Sequence, residues 1–199
     1  MTLASRITLA RLLLVPVFAV LAVYYGSSVA AGTPDERLRV AALATFIIAA
    51  VSDGLDGFIA RRFNQRSQFG AVIDPLADKA LLLTGIITLS LVDWGPDGWR
   101  IPVWFTAVVV VRDIIILGGI VVLHYVGHSI RVAPTLVGKA CTFTQMVALG
   151  WVMLRVVPFS PIYPAAIATL FTIWSGIDYF RFGLRQLQGA EHTRPGTHP

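Results

Sequence analysis

The chain has 199 residues, 56% of them hydrophobic and 14% charged, with a mean hydropathy of +0.73. Soluble domains are typically about 25% charged, so this composition argues against a water-soluble globule and for a chain embedded in a membrane. The formal net charge of +5 is not read as a nucleic-acid surface in so apolar a chain; its Lys and Arg residues are expected to set topology and hold anionic headgroups.

An apolar stretch of about 20 residues crosses a bilayer core as a helix, with every backbone group satisfied internally. Six such stretches are predicted, near Thr8–Tyr25, Leu38–Ile59, Val72–Val92, Pro102–Tyr125, Leu136–Val157 and Pro161–Phe182. They read as an all-α fold, a polytopic membrane bundle of six transmembrane helices forming one domain over residues 1–188, with a disordered tail at 189–199. Arg6 and Arg11 before the first apolar run imitate a secretory signal, and Val29-Ala30-Ala31 imitates its cleavage site. The run is long for a signal core, so a retained first helix is expected. Gly26-Ser27-Ser28, Gly32-Thr33-Pro34, Gly95-Pro96-Asp97-Gly98, Pro158 and Pro161 mark short connections.

Basic residues in short loops set orientation. With the amino terminus in the cytoplasm, that side collects Arg6, Arg11, Arg61, Arg62, Arg66, Arg131, Lys139, Arg181, Arg185 and Arg194, whereas Arg37, Arg39, Arg100 and Arg155 on the other side are diluted by acids. Both termini and the junction of the second and third helices are then cytoplasmic.

That junction carries the chemistry. Asp53 and Asp56 are three apart and Asp74 and Asp78 four apart, so on helices each pair shares a face. Four unneutralised carboxylates converging beside lipid would repel one another and cost several kcal/mol of desolvation, which predicts bound cations or strongly shifted pKa values. Oxygen-only ligation selects hard ions, Mg²⁺ or Mn²⁺. Gly54, Gly57, Ala60, Gly70, Ala71 and Ala77 leave room for close approach of a helix or a diphosphate, and Arg61 is placed to face phosphates. Pro75 removes an amide donor, predicting a kink or a helix start beside Asp74. The plain alternative for any one of these acids is a solvated helix end.

In the fourth helix, Arg112-Asp113 interrupts Val108-Val109-Val110-Val111 and Ile114-Ile115-Ile116, where a charge needs a polar interior. Adjacent residues on a helix point about 100° apart, so an anionic acceptor for Arg112 is preferred over a pair with Asp113. Arg131 and Lys139 would complete a phosphate pocket, or act as cytoplasmic anchors. His124 and His128 read as interfacial residues rather than metal ligands, and Trp94, Trp99 and Trp104 as interfacial aromatic anchors. Cys141, the one cysteine, excludes an intramolecular disulfide and reads as a small apolar helix residue.

The segment Asp53-x-x-Asp56-Gly57-x-x-Ala60-Arg61, eight residues, Gly70-x-x-x-Asp74-x-x-x-Asp78 resembles the complete signature of the CDP-alcohol phosphatidyltransferase family. The resemblance covers most of the chain, because that family also has six membrane helices with the signature on the second and third. It implies that Asp53, Asp56 and Asp74 bind metal and that Asp78 binds metal or takes the acceptor proton. It further implies two divalent ions, with Gly57, Ala60, Arg61 and Gly70 lining the CDP-lipid pocket beside Thr8, and a homodimer in the cell inner membrane working at its cytoplasmic face.

Ser5-x-x-Thr8-x-x-Arg11 and Pro134-x-x-x-Gly138-Lys139-x-x-Thr142-x-x-Gln145 resemble elements of the branch that makes phosphatidylglycerophosphate or cardiolipin, with serine where asparagine is usual at Ser5. The expected reaction is transfer of phosphatidyl from CDP-diacylglycerol to sn-glycerol 3-phosphate with release of CMP. Arg112, Arg131 and Lys139 would hold the acceptor phosphate. The alternative acceptor is phosphatidylglycerol, giving cardiolipin, since Arg-Asp in place of Arg-Glu at Arg112-Asp113 resembles the cardiolipin-forming members. An ion-coupled carrier using its aspartates as a relay is the alternative of another class.

Overall fold

The computed structural model describes the backbone of residues 3–62, 68–125, 136–156 and 158–191, and the side chains of residues 9–52, 77, 79–119, 136–156 and 158–181. Within these residues the fold is all-helical: α1 (Leu3–Ala30), α2 (Glu36–Arg62), α3 (Gln68–Leu91), α4 (Val103–Tyr125), α5 (Leu136–Leu154) and α6 (Ile162–Glu191), with a single 3-10 turn at Pro96–Gly98 and no strand.

The helices outrun the predicted stretches, because hydropathy marks only the apolar length while the backbone ladder continues through polar ends. The largest difference is α1, which runs through Gly26-Ser27-Ser28, predicted as a break. Ser27 and Ser28 donate their hydroxyls back to the Val23 and Tyr25 carbonyls at 2.9 and 2.7 Å, satisfying side chain and helix together. The chain turns instead at Gly32, whose φ of +74° suits glycine. Likewise α3 starts at Gln68 and passes through Pro75, so of the kink or start predicted beside Asp74 the start lies six residues earlier. Helix α6 continues to Glu191, and the rest of the expected tail lies outside the described residues.

Helix α3 is the pivot, packing against α1, α2, α4 and α5, while α6 packs on α4 and α5. The shared core is built from Phe18, Ala22, Phe46, Leu81, Ile86, Leu89, Phe105, Leu149 and Val152. Gly26 permits the α1–α3 crossing: a Cβ there would lie 2.5 Å from Val92 Cβ, closer than any side-chain carbon tolerates.

One end of the bundle gathers the C-termini of α1, α3 and α5 and the N-terminus of α2. There Trp94 is fully buried and donates its indole N–H to the Met153 carbonyl at 3.2 Å, while Trp99 donates to the Val152 carbonyl at 3.0 Å. These are carbonyls of the last turn of α5, which have no partner within their own helix. Trp94 is therefore a buried C-terminal cap rather than the interfacial anchor predicted, and half-buried Trp99 adds a second cap at the same end; Trp104, 44% exposed, fits the anchor reading. Tyr25 stacks edge-on against Trp94 at 4.8 Å and receives a hydrogen bond from Arg155 at 3.4 Å.

The outer surface is strongly apolar, with Leu13, Val20, Val51, Ile114, Leu117, Leu170, Trp174 and Phe180 all exposed. Helical segments Leu9–Ala30 and Leu136–Leu154 are long and apolar enough to cross a membrane; among the described residues no other helix meets the same test of length and composition.

Candidate active site

Helices α2 and α3 lie in contact. Asp53 stands nine residues before the end of α2 at Arg62, and Asp78 ten residues after the start of α3 at Gln68, about 14–15 Å along each axis at 1.5 Å per residue. The side chains of Asp53, Asp56, Asp74 and Asp78, and those of Gly57, Ala60, Arg61, Gly70 and Thr8, lie outside the described residues; their backbone positions on α2, α3 and α1 are helical, with Ala60, Arg61 and Gly70 beyond the predicted ends at Ile59 and Val72. Arg131 and His128 also lie outside the described residues. His124 is the penultimate residue of α4, not in a loop.

What is described is the polar wall beside this pair of helices. Ala77, on one side of Asp78, is fully buried, and Lys79, on the other side, reaches across to α4. Its ammonium meets the Asp113 carboxylate at 2.8 Å, and the same Oδ1 takes the Arg112 guanidinium at 2.9 Å. Asp113 is 5% exposed, and so apolar a setting requires such partners. The expectation that Arg112 and Asp113 turn away from each other is thus corrected. Long side chains bend across the 100° between adjacent positions, and the desolvation cost of two separate buried charges favours that closure.

Arg112 has two further partners, both on α6. It donates to the Ser175 hydroxyl, and its guanidinium carbon lies 5.5 Å from the centre of the Tyr179 ring, a cation–π distance. Ser175 is fully buried. The constellation Lys79–Asp113–Arg112–Ser175–Tyr179 therefore joins α3, α4 and α6 on one level. Among the described residues it contains two cations and one carboxylate, one positive charge in excess. The Nε of Arg112 and the Oδ2 of Asp113 are both buried and have no hydrogen-bond partner among the described residues.

Arg112 also opens onto an apolar groove of about 950 Å³ between α4 and α6, walled by Val108, Val111, Ile115, Ile173 and Phe180 and ending at Arg181. Lys139 lies on the first turn of α5 and is exposed, in keeping with either role predicted for it. Arg11 on α1 is fully buried and is not without a partner. Thr142 bonds back to the Gly138 carbonyl, and Gln145 is buried with its amide 3.0 Å from Thr172 on α6. Gln145 is thus a tie between helices rather than a lining of the pocket. Cys141 is buried against the same Thr172 hydroxyl at 3.5 Å, as a small interior residue.

Lys79, Ser175 and Tyr179 carry no role in the reading of the sequence, and Asp113 enters it only beside Arg112. The signal available for Lys79 and Asp113 was the presence of a charge deep in an apolar run. For Ser175 and Tyr179 there was none, since both are unremarkable residues of a membrane-type helix.

The family model for CDP-alcohol phosphatidyltransferase matches residues 1–175. The chain is 36% identical to a Mycobacterium tuberculosis protein named as a probable phosphatidylglycerophosphate synthase, over 96% of this chain and 86% of that one. Two proteins named CDP-diacylglycerol–glycerol-3-phosphate 3-phosphatidyltransferase are also similar. That of Bacillus subtilis is 35% identical over 89% of this chain and 93% of its own. That of Escherichia coli K12 is 36% identical over 88% and 91%.

Proposed function

The chain belongs to the CDP-alcohol phosphatidyltransferase family, and from that premise we propose that it moves phosphatidyl from CDP-diacylglycerol to sn-glycerol 3-phosphate, forming phosphatidylglycerophosphate and CMP. The observation that carries this reading is the near end-to-end similarity to relatives named for that reaction. Family membership also sets aside the carrier alternative.

The donor set suits a hard divalent cation: four carboxylates at spacings of three and four on two helices in contact, with oxygen as the only ligand type. Asp53, Asp56, Asp74 and Asp78 would hold two Mg²⁺ or Mn²⁺ ions. Such ions, when bound, neutralise phosphate oxygens and the leaving phosphate. The chain's own part is to orient and to move a proton. Gly57, Ala60 and Gly70 leave space for the nucleotide diphosphate, and Thr8 and Arg61 hold its polar atoms. The acceptor hydroxyl gives its proton to the Asp78 carboxylate as its oxygen bonds the phosphorus bearing diacylglycerol. The bond from that phosphorus to the CMP oxygen breaks, and CMP leaves with the electron pair. Arg112, Arg131 and Lys139 hold the acceptor phosphate.

A second acceptor is supported by one observation. Arg112 faces an apolar groove with room for an acyl chain, which suits phosphatidylglycerol and a cardiolipin product. Six membrane spans, a cytoplasmic-face site in the inner membrane and a homodimer complete the reading. They are supported by the six helices, the apolar outer surface and the basic residues concentrated towards one side.

The test is CMP release by detergent-purified protein with CDP-diacylglycerol and Mg²⁺, in parallel with glycerol 3-phosphate and with phosphatidylglycerol. Release that depends on glycerol 3-phosphate is expected. Release only with phosphatidylglycerol would assign the cardiolipin reaction, and release with neither would overturn both.

A further inference from the structure

We propose that Asp113 is a positioning residue for the acceptor: its carboxylate fixes Lys79 and Arg112 so that the excess positive charge of this cluster faces the acceptor phosphate. The inference rests on the glycerol 3-phosphate reading above.

Asp113 uses one oxygen, Oδ1, to hold both cations, at 2.8 Å from Lys79 and 2.9 Å from Arg112. Two cations this close repel each other strongly where water is scarce, so without the carboxylate they separate and lose fixed directions. With it they stay on one level of the fold, and the cluster still lacks one negative charge. The side chain of Arg112 is 13% exposed and that of Lys79 35%, so Arg112 is the cation less relieved by bulk water.

The rest of the geometry points the same way. Arg112 is braced from the far side by Ser175 and by the Tyr179 ring, so its position is over-determined. Arg112 also lines the groove between α4 and α6, which is where a ligand can reach its side chain. Lys79 is the residue after Asp78 on α3, so the cluster is joined through the backbone to the carboxylate proposed to take the proton of the acceptor hydroxyl. Asp113 thus acts through Arg112 and Lys79, and the acceptor side of the reaction depends on it while the nucleotide side does not.

The experiment is steady-state kinetics of the full chain in detergent, with glycerol 3-phosphate and CDP-diacylglycerol varied separately, for wild type, Asp113→Asn, Asp113→Glu and Ser175→Ala. For Asp113→Asn, KM for glycerol 3-phosphate rises tenfold or more while KM for CDP-diacylglycerol stays within twofold. Asp113→Glu recovers most of that loss, because the carboxylate is kept. Ser175→Ala, which removes only the brace behind Arg112, raises the acceptor KM about threefold with the nucleotide KM unchanged, and tests the proposal if Asp113→Asn does not fold. An unchanged acceptor KM, an equal rise in both KM values, or a Glu variant no better than Asn overturns it. A wild-type protein that does not use glycerol 3-phosphate fails the underlying reading and removes this inference with it.

Discussion

Trp94 illustrates how one side chain acts at the residue scale. Its indole is fully buried and its N–H satisfies a last-turn carbonyl of α5, a group that is costly to leave open inside an apolar bundle. Trp94→Phe keeps most of the apolar contact and removes the donor. A loss of about 1–2 kcal/mol is expected, read as a lower melting midpoint in detergent, with turnover at 25 °C unchanged because the residue is remote from the carboxylates. Asp78→Asn should behave in the opposite way. If Asp78 takes the acceptor proton, the amide abolishes CMP release while CDP-diacylglycerol still binds, measured by equilibrium binding and single-turnover assays on the same preparation. A variant that keeps near wild-type rate removes Asp78 from the mechanism. Asp78→Asn is nearly isosteric and Trp94→Phe removes the donor with part of the ring, so the contrast separates a chemical role from a stability one.

At the scale of elements, helix contacts are set by small residues and by single polar ties. Gly26 lets α1 cross α3 at Val92 with no space left for a Cβ. Gly26→Ala is expected to destabilise by about 1–3 kcal/mol through overpacking. Val92→Gly should relieve that loss, whereas Val92→Ala, which keeps the clashing Cβ, should not; thermal melts of the single and double variants decide. Between α5 and α6 the tie is Gln145 to Thr172 at 3.0 Å, with both residues buried. A double-mutant cycle of Gln145→Leu and Thr172→Val is expected to give a coupling of about 0.5–1.5 kcal/mol. A coupling of zero would mean the two side chains only fill space. Neither contact could be placed from the one-dimensional pattern. Gly26 read as a loop breaker because glycine serves loops and close helix packing alike, and only the partner helix decides between them.

For the whole molecule, the proposed orientation has a direct check. Cys141 is the one native cysteine and is buried, so background labelling by a thiol reagent should be low. Ser160 and Lys139 are exposed at opposite ends of α5 and its connection to α6. In intact cells, a membrane-impermeant maleimide should label Ser160→Cys directly and Lys139→Cys only after permeabilisation. The reverse pattern would invert the topology and move the carboxylate level to the other face of the membrane. Composition and spacing alone determined the all-helical class, the approximate place of each of the six helices and the pairing of the four aspartates on two of them. Those features follow from helical periodicity and from the poor solubility of charge in hydrocarbon, both local properties of the chain. Only the tertiary structure decided that Trp94 and Trp99 cap α5, that Gly26 seats α3, and that Lys79, Asp113, Arg112, Ser175 and Tyr179 form one cluster across α3, α4 and α6. Lys79 and Asp113 are 34 positions apart, and Arg112 and Ser175 are 63. What brings them together is the packing of α3 and α6 against α4, and that arrangement leaves no periodic trace in the sequence.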